Sequence, residues 1–305
     1  MHTNGPLDEC LDRLATASAW GYSATGSAAS EPTALAAIAL LAAGRVAPAQ
    51  RALDWLAAAQ QSNGAVGVFA DHATPAWPTS LAALAFRTAE HDTERYRRPR
   101  ARAVDWLLAT KGSPVKKEEK LSHDMSLIGW PWVESTHSWV EPTALALLAL
   151  RAVGHAAHPR AQEAIKILVD RLLPDGGCNY GNTFVLGQKL LPHVQPTALA
   201  MLALAGLELA DPRIARSLDY LARSVDGRTA TASLSYGVLA LTAHGHRPAQ
   251  ADRWLTAAAN RVLARDASAH KLAVIALAFS GDVMAIGAVN PEGTTGNSQG
   301  RKPLD

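Results

Sequence analysis

Two glutamates occur in the same short phrase, Glu31-Pro32-Thr33-Ala34-Leu35-Ala36 and Glu141-Pro142-Thr143-Ala144-Leu145-Ala146. Glutamate is not a favoured helix N-cap, where Ser, Thr, Asp and Asn lead, so its repeated use before Pro-Thr needs a reason. One reason is structural: a carboxylate near a helix N-terminus interacts well with the macrodipole. The other is chemical, because helices that begin at one end of a bundle can point such groups into a common cavity. Burial there would raise the pKa and favour an acid, whereas the helix terminus would lower it and favour a carboxylate. Asp124, in His123-Asp124-Met125-Ser126, is a further candidate acid near Trp130 and Trp132, with a solvated loop carboxylate as the alternative.

The elements that must position these groups repeat along the chain. Gln195-Pro196-Thr197-Ala198-Leu199-Ala200 is a third copy of the phrase and Trp77-Pro78-Thr79-Ser80-Leu81-Ala82 a variant, with looser copies at Thr231 to Ala243 and Ser268 to Phe279. Each reads as the start of an apolar helix, since proline is tolerated at the first helical position and the Ala/Leu run has high helix propensity. Several of these helices stop at a glycine: Gly44, Gly154, Gly206 and Gly245. A more amphipathic set alternates with them, at Leu7 to Ala17, Pro48 to Gln60, Pro99 to Thr110, Pro159 to Leu173, Pro212 to Arg223 and Pro248 to Leu263. Apolar inner helices alternating with outer helices that have one wet face predict an all-α fold, an α/α toroid of about six inner and six outer helices. An open solenoid is the alternative. The toroid is expected to form one domain over residues 1–283, with 284–305 as a flexible tail.

The segments leading into the inner helices combine glycine with aromatics: Trp20-Gly21-Tyr22, Gly129-Trp130-Pro131-Trp132 and Asp175-Gly176-Gly177-Cys178-Asn179-Tyr180. Loops at one end of a rigid scaffold commonly carry function. Trp20, Tyr22, Trp77, Trp130, Trp132, Trp139, Tyr180 and Gln195 are therefore candidates for lining a substrate cavity, the alternative being that the aromatics staple one repeat to the next. Lys111 to Lys120 reads as an exposed polar loop.

Composition narrows the function classes. The 305 residues are 48% hydrophobic and 18% charged, with a formal net charge of +2, which gives no electrostatic reason to expect a nucleic-acid partner. The arginines at 95, 97, 98, 100 and 102 read as a solvated outer face more readily than as an anion site. Two cysteines, Cys10 and Cys178, argue against a disulfide framework, and with no secretory signal at Met1 the expected location is cytoplasmic. No apolar run is long enough for a membrane span, although peripheral membrane contact stays open. His123, His137, His193 and His270 form no recognisable ligand pair, so neither a metal nor another cofactor is expected.

Over Leu7 to Gly281 the chain resembles the terpenoid cyclase and protein prenyltransferase superfamily, the squalene-cyclase-like α/α toroids with a glycine-aromatic repeat. Asp175-Gly176-Gly177-Cys178 is similar to that family's Asp-Gly-Gly-Trp-like repeat, with cysteine in place of tryptophan. The resemblance puts Glu141 where class II cyclases hold the aspartate that protonates an alkene or epoxide, with Trp139 and Pro142 replacing its flanking aspartates. At the prenyltransferase zinc site, Glu141 supplies a carboxylate but no sulfur accompanies it. It implies an isoprenoid-handling enzyme, of cyclase or prenyl-transfer type but without the usual Asp-x-Asp-Asp and zinc motifs. Acid chemistry would come from Glu141, Glu31 or Asp124, and the substrate would be an apolar isoprenoid in an aromatic-lined tunnel. The alternatives are a non-catalytic toroid that binds a lipid, peptide or protein, and carbohydrate processing by two carboxylates across an open cleft.

Overall fold

The structure is a computed structural model and describes residues 5–89, 93–115, 123–185 and 187–288. It contains twelve helices among those residues: α1 (Pro6–Thr16), α2 (Ser30–Ala42), α3 (Val46–Ala59), α4 (Thr79–Thr88), α5 (Thr93–Ala109), α6 (Val140–Ala152), α7 (Pro159–Asp170), α8 (Val194–Leu204), α9 (Pro212–Ser224), α10 (Thr231–Ala243), α11 (Ala251–Arg265) and α12 (Ala269–Ser280). The even-numbered helices form a closed inner ring, α2 against α4, α4 against α6, and so on to α12, which packs back on α2. The odd-numbered helices lie outside them. This is the expected α/α toroid, and closure of α12 on α2 excludes the open solenoid.

Burial explains the two helix types. Every residue from Pro32 to Leu40 in α2, and from Val140 to Leu150 in α6, is buried. An inner helix touches two ring neighbours and an outer helix, so no face is left for water. Outer helices bury a single stripe: α9 is buried at Ser217 and Leu221, α3 at Ala49, Ala52, Leu53 and Leu56.

The inner helices start earlier than the phrase predicts, at Ser30, Val140 and Val194. The proline falls inside the first turn, where a missing N–H breaks no intrahelical bond. Glu31, Glu141 and Gln195 thus sit within their helices rather than ahead of them. The threonine that follows each proline clasps the incoming loop. Thr197 Oγ1 accepts from the Cys178 amide at 2.9 Å and donates to the His193 carbonyl at 2.7 Å. Thr143 accepts from the Trp130 amide at 3.1 Å, and Thr79 from the Val66 amide at 2.8 Å. The recurring Pro-Thr is this clasp.

Outer helices receive the glycines of the loops. Gly176 has φ +90°, and a Cβ there would fall 2.4 Å from the Arg216 carbonyl carbon on α9. Gly64 has φ +93°, with a would-be Cβ 2.1 Å from the Arg102 carbonyl oxygen on α5. Only glycine fits such a left-handed, close approach. The arginine-rich stretch lies on α5, which begins at Thr93, earlier than expected, and takes Pro99 into its interior. Arg95 pairs with Asp54 at 2.5 Å, and Arg102 donates to the Gln61 carbonyl at 2.6 Å.

At the far end of the ring, side chains hold the inner-helix carbonyls. Arg151 donates to the Ala203 and Ala205 carbonyls at 2.6 and 2.8 Å, and Arg247 to the Ala278 carbonyl at 2.9 Å, a favourable place for cations at the negative helix ends. The turn after α12 closes over this end. Val283, Ala285, Ile286 and Ala288 are buried in the core, and a Cβ at Gly287 would meet the Leu148 carbonyl and the Leu84 side chain. Residues 289–305, most of the expected tail, lie outside the described residues, as do 116–120 of the expected polar loop. No helix among the described residues is long and apolar enough to cross a membrane.

Candidate active site

Because the inner helices run parallel, all their N-termini meet at one end, and the side chains of their first turns gather there. Glu31 from α2 and Glu141 from α6 come from alternate helices of the ring. Glu141 is 5% exposed, and its Oε1 accepts from Gln195 Nε2 of α8 at 3.2 Å. Burial pushes its pKa up to about 7, against the lowering effect of the Gln195 hydrogen bond and with a further upward push from the charge of Glu31. Burial therefore outweighs the Gln195 hydrogen bond at this position.

Glu31 has different company. Its Oε2 accepts from the Tyr22 hydroxyl at 2.6 Å, and its Oε1 faces His270 Nε2 of α12 at 3.4 Å. The Tyr22 and His270 rings lie 5.7 Å apart, so phenol, imidazole and carboxylate form one group. Burial, then the charge and hydrogen bond of Glu31, raise the Tyr22 pKa and keep its proton in place. Tyr236, from α10 between the helices that carry Gln195 and His270, is 5% exposed. Its pKa is raised well above the ordinary value by burial first, then by Glu31 and Glu141.

Aromatic pairs stand around this end. Trp77 and Trp132 meet edge to face at 4.8 Å, His137 lies 4.4 Å from Trp139, and Tyr180 lies 5.2 Å from His193. A narrow cleft beside Pro142 is walled by Trp77, Ser80, Trp130, Trp132 and Glu134. A larger cleft of 410 Å³ lies between the end of α1 and the start of α12, but no carboxylate lines it.

The other expected site residues divide. Tyr22, Trp77, Trp132, Trp139, Tyr180 and Gln195 are at the helix-start end with Glu31 and Glu141. Trp20 and Trp130, at 3% and 2% exposure, are instead buried staples: their indole N–H groups donate to the Leu14 carbonyl of α1 at 3.1 Å and the Leu107 carbonyl of α5 at 3.0 Å. Asp124 stands apart from the pair. Its Oδ1 accepts from the Ser126 amide and hydroxyl, and its own amide donates to Asp170 at the end of α7. Those contacts fold the Asp124 loop onto an outer helix.

Tyr236 and the pairing of His270 with Glu31 were not read from the sequence. Tyr236 lies in a helix that looks like uniform core, and its one signal is a phenol flanked by Ser235 and Gly237. His270 lacks the Pro-Thr that marks the other helix starts. Among the described residues no cluster of three or more His, Cys, Asp or Glu could hold a metal ion.

No protein-family model and no curated protein matches the sequence. Solved structures do match the fold. A glycosidase variant in complex with glucose superposes with a TM-score of 0.56 at 15% identity, covering 91% of this chain and 97% of that one. An inactive variant of an alpha-1,6-mannanase of Salegentibacter sp. HEL1_6, in complex with alpha-1,6-mannotriose, gives 0.55 at 9% identity, covering 92% and 99%. A bacterial glucoamylase complexed with acarbose gives 0.54 at 14% identity, covering 95% of this chain and 57% of that one.

These findings correct the resemblance to terpenoid cyclases and protein prenyltransferases, and with it the isoprenoid substrate, the cyclase or prenyl-transfer activity and the non-catalytic binding alternative. The interior argues the same way. An isoprenoid tunnel needs an open apolar bore, whereas Leu35, Leu81, Leu145 and Leu199 are buried just below the first turn of their helices. Among the aromatic pairs at the helix-start end stand two carboxyl groups, two phenols, an imidazole and an amide.

Proposed function

We propose that this protein hydrolyses glycosidic bonds, with Glu141 as general acid and Glu31 as its carboxylate partner. The observation that carries the reading is the unlike treatment of two glutamates from equivalent helix starts. Glu141 is buried and holds a proton to about pH 7. Glu31 has a phenol and an imidazole on its two oxygens. Two carboxyl groups whose surroundings differ in this way are what glycoside hydrolysis uses: one protonates the leaving oxygen while the other activates water or attacks the anomeric carbon.

In the first step Glu141 gives its proton to the glycosidic oxygen as the bond to the anomeric carbon breaks. Glu31 either removes a proton from the water that attacks that carbon, or bonds to it and is released by water in a second step, with Glu141 recovering the proton from that water. Trp77, Trp132, Trp139 and Tyr180 offer flat faces to sugar rings. Glycosidases among the solved structures of like fold support the substrate class, and the two free, buried cysteines support a cytoplasmic location.

The test is incubation with α- and β-linked gluco- and manno-oligosaccharides, with products separated by chromatography and their initial anomer read by proton NMR. Cleavage is expected, with Glu141→Gln and Glu31→Gln each lowering kcat about 10²- to 10⁴-fold. If neither sugar series is cut, or if Glu141→Gln turns over as the wild type does, the reading is wrong.

A further inference from the structure

One buried polar group has no part in the chemistry above. Tyr236 is 5% exposed, and its hydroxyl, which no side chain among the described residues engages, is not one of the fully buried unpaired polar atoms and so keeps contact with solvent. Its neighbours on α10 are buried and mostly apolar: Leu234, Gly237, Val238, Leu239 and Leu241, with Ser235 beside it, whose own hydroxyl is buried without a partner. A phenol hydroxyl that no side chain engages, within reach of the charges of Glu31 and Glu141 and open to solvent, is free to bond a molecule that enters between them, and phenylalanine would fill the same space without that hydroxyl.

We propose that the Tyr236 hydroxyl is the floor contact for the last sugar of a glycan chain, hydrogen-bonding a ring hydroxyl beside the bond to be cut. The proposal rests on the glycosidase reading. Its geometry comes from the ring order. α10 packs between α8 and α12, which supply Gln195 to Glu141 and His270 to Glu31. The phenol therefore lies in the gap between the two carboxyl pairs, where a sugar held between acid and carboxylate must come. Below it the centre is filled by buried leucines, and the far end is covered by the buried turn through Val283 and Ile286. A chain cannot thread the ring. With aromatic pairs standing over the starts of α2, α4, α6 and α8, the sugar that reaches Tyr236 is a terminal one.

The experiment uses gluco- and manno-oligosaccharides carrying a fluorescent label at the reducing end, with wild type and Tyr236→Phe compared in thermal melting, steady-state kinetics and early product profile. The wild type should release a monosaccharide and leave a labelled chain one unit shorter. Tyr236→Phe should melt with the wild type, since its hydroxyl bonds no side chain, and lose about tenfold in kcat/KM, the loss of a neutral hydrogen bond to substrate. A melting temperature lowered by several degrees would mean that the hydroxyl serves the fold. Unchanged kcat/KM, or early labelled products of every length, would equally overturn the proposal while leaving the glycosidase reading intact. Absence of cleavage by the wild type would remove that reading, and this inference with it.

Discussion

Gln195 and Glu141 meet across the boundary between α8 and α6, the amide donating to a carboxyl group that is almost wholly buried. The amide opposes the rise in the Glu141 pKa without cancelling it. The folded protein thus holds a proton that the unfolded chain releases between the ordinary value of 4.5 and about 7. Stability contributed by this difference is present at low pH and falls as pH rises through that interval. Glu141→Gln removes the dependence. The variant should gain on the wild type at pH 8 relative to pH 4, by up to about 3 kcal/mol. Urea denaturation at the two pH values measures it, and parallel pH dependence in the two proteins would contradict it.

The same proton governs turnover. Activity should decline as pH rises through about 7, where Glu141 loses the proton it must donate. Gln195→Leu removes the hydrogen bond that favours the ionised form, so its alkaline limb should move to higher pH. A pH profile of kcat/KM for both proteins reads the shift, and coincident alkaline limbs would show that another group controls them.

Tyr22 and His270 orient Glu31. Tyr22→Phe and His270→Leu should each lower kcat about tenfold, leaving KM within about threefold, since one removes the hydrogen bond to the carboxylate and the other its ion-pair contact, and both leave the rim aromatics in place. Steady-state kinetics decide it. A loss confined to KM would make these residues sugar contacts instead.

The threonine clasp predicts a structural effect of definite size. Thr197→Val keeps the volume but leaves the Cys178 amide, buried and bonded at 2.9 Å, without its acceptor. The expected cost is about 1–3 kcal/mol, read by urea or thermal denaturation. A neutral substitution would mean that the loop finds another acceptor.

Cys10 and Cys178 should be inert in the folded protein, because burial pushes both thiols up to about 12 and leaves little thiolate at neutral pH. A colorimetric thiol reagent should titrate both only after denaturation. Prompt reaction of either in the native state would contradict their burial.

Much of the architecture was legible in the sequence because its strongest signals are backbone devices. The Pro-Thr phrase and the glycine stops mark helix ends whatever the protein does, and Glu31 and Glu141 stood out because the phrase reads them as N-caps, although each helix begins one residue earlier and takes its glutamate into the first turn. The rest turned on direction. Periodicity says that α10 is buried all round, but not that Tyr236 comes within reach of the charges of Glu31 and Glu141. Trp20 and Trp132 look alike in the chain, yet one indole reaches an outer-helix carbonyl and the other pairs with Trp77 at the opening. The isoprenoid expectation rested on a glycine-aromatic repeat whose glycines serve to seat loops on outer helices, as Gly176 does against Arg216. A packing device belongs to a fold, and chemistry is grafted onto it separately.

The seam where the last helix meets the first has a further consequence. α12 packs on α2, and α1 packs on both α11 and α12, so the chain is a belt whose buckle is made of non-covalent contacts alone. A belt can be re-cut. Joining the described turn after α12 to the start of α1 by a linker and opening the chain at another bend, such as Gly154 between α6 and α7, should yield the same ring with its opening intact. The cyclic order of the repeats, and not the place where the ring is cut, then carries the opening.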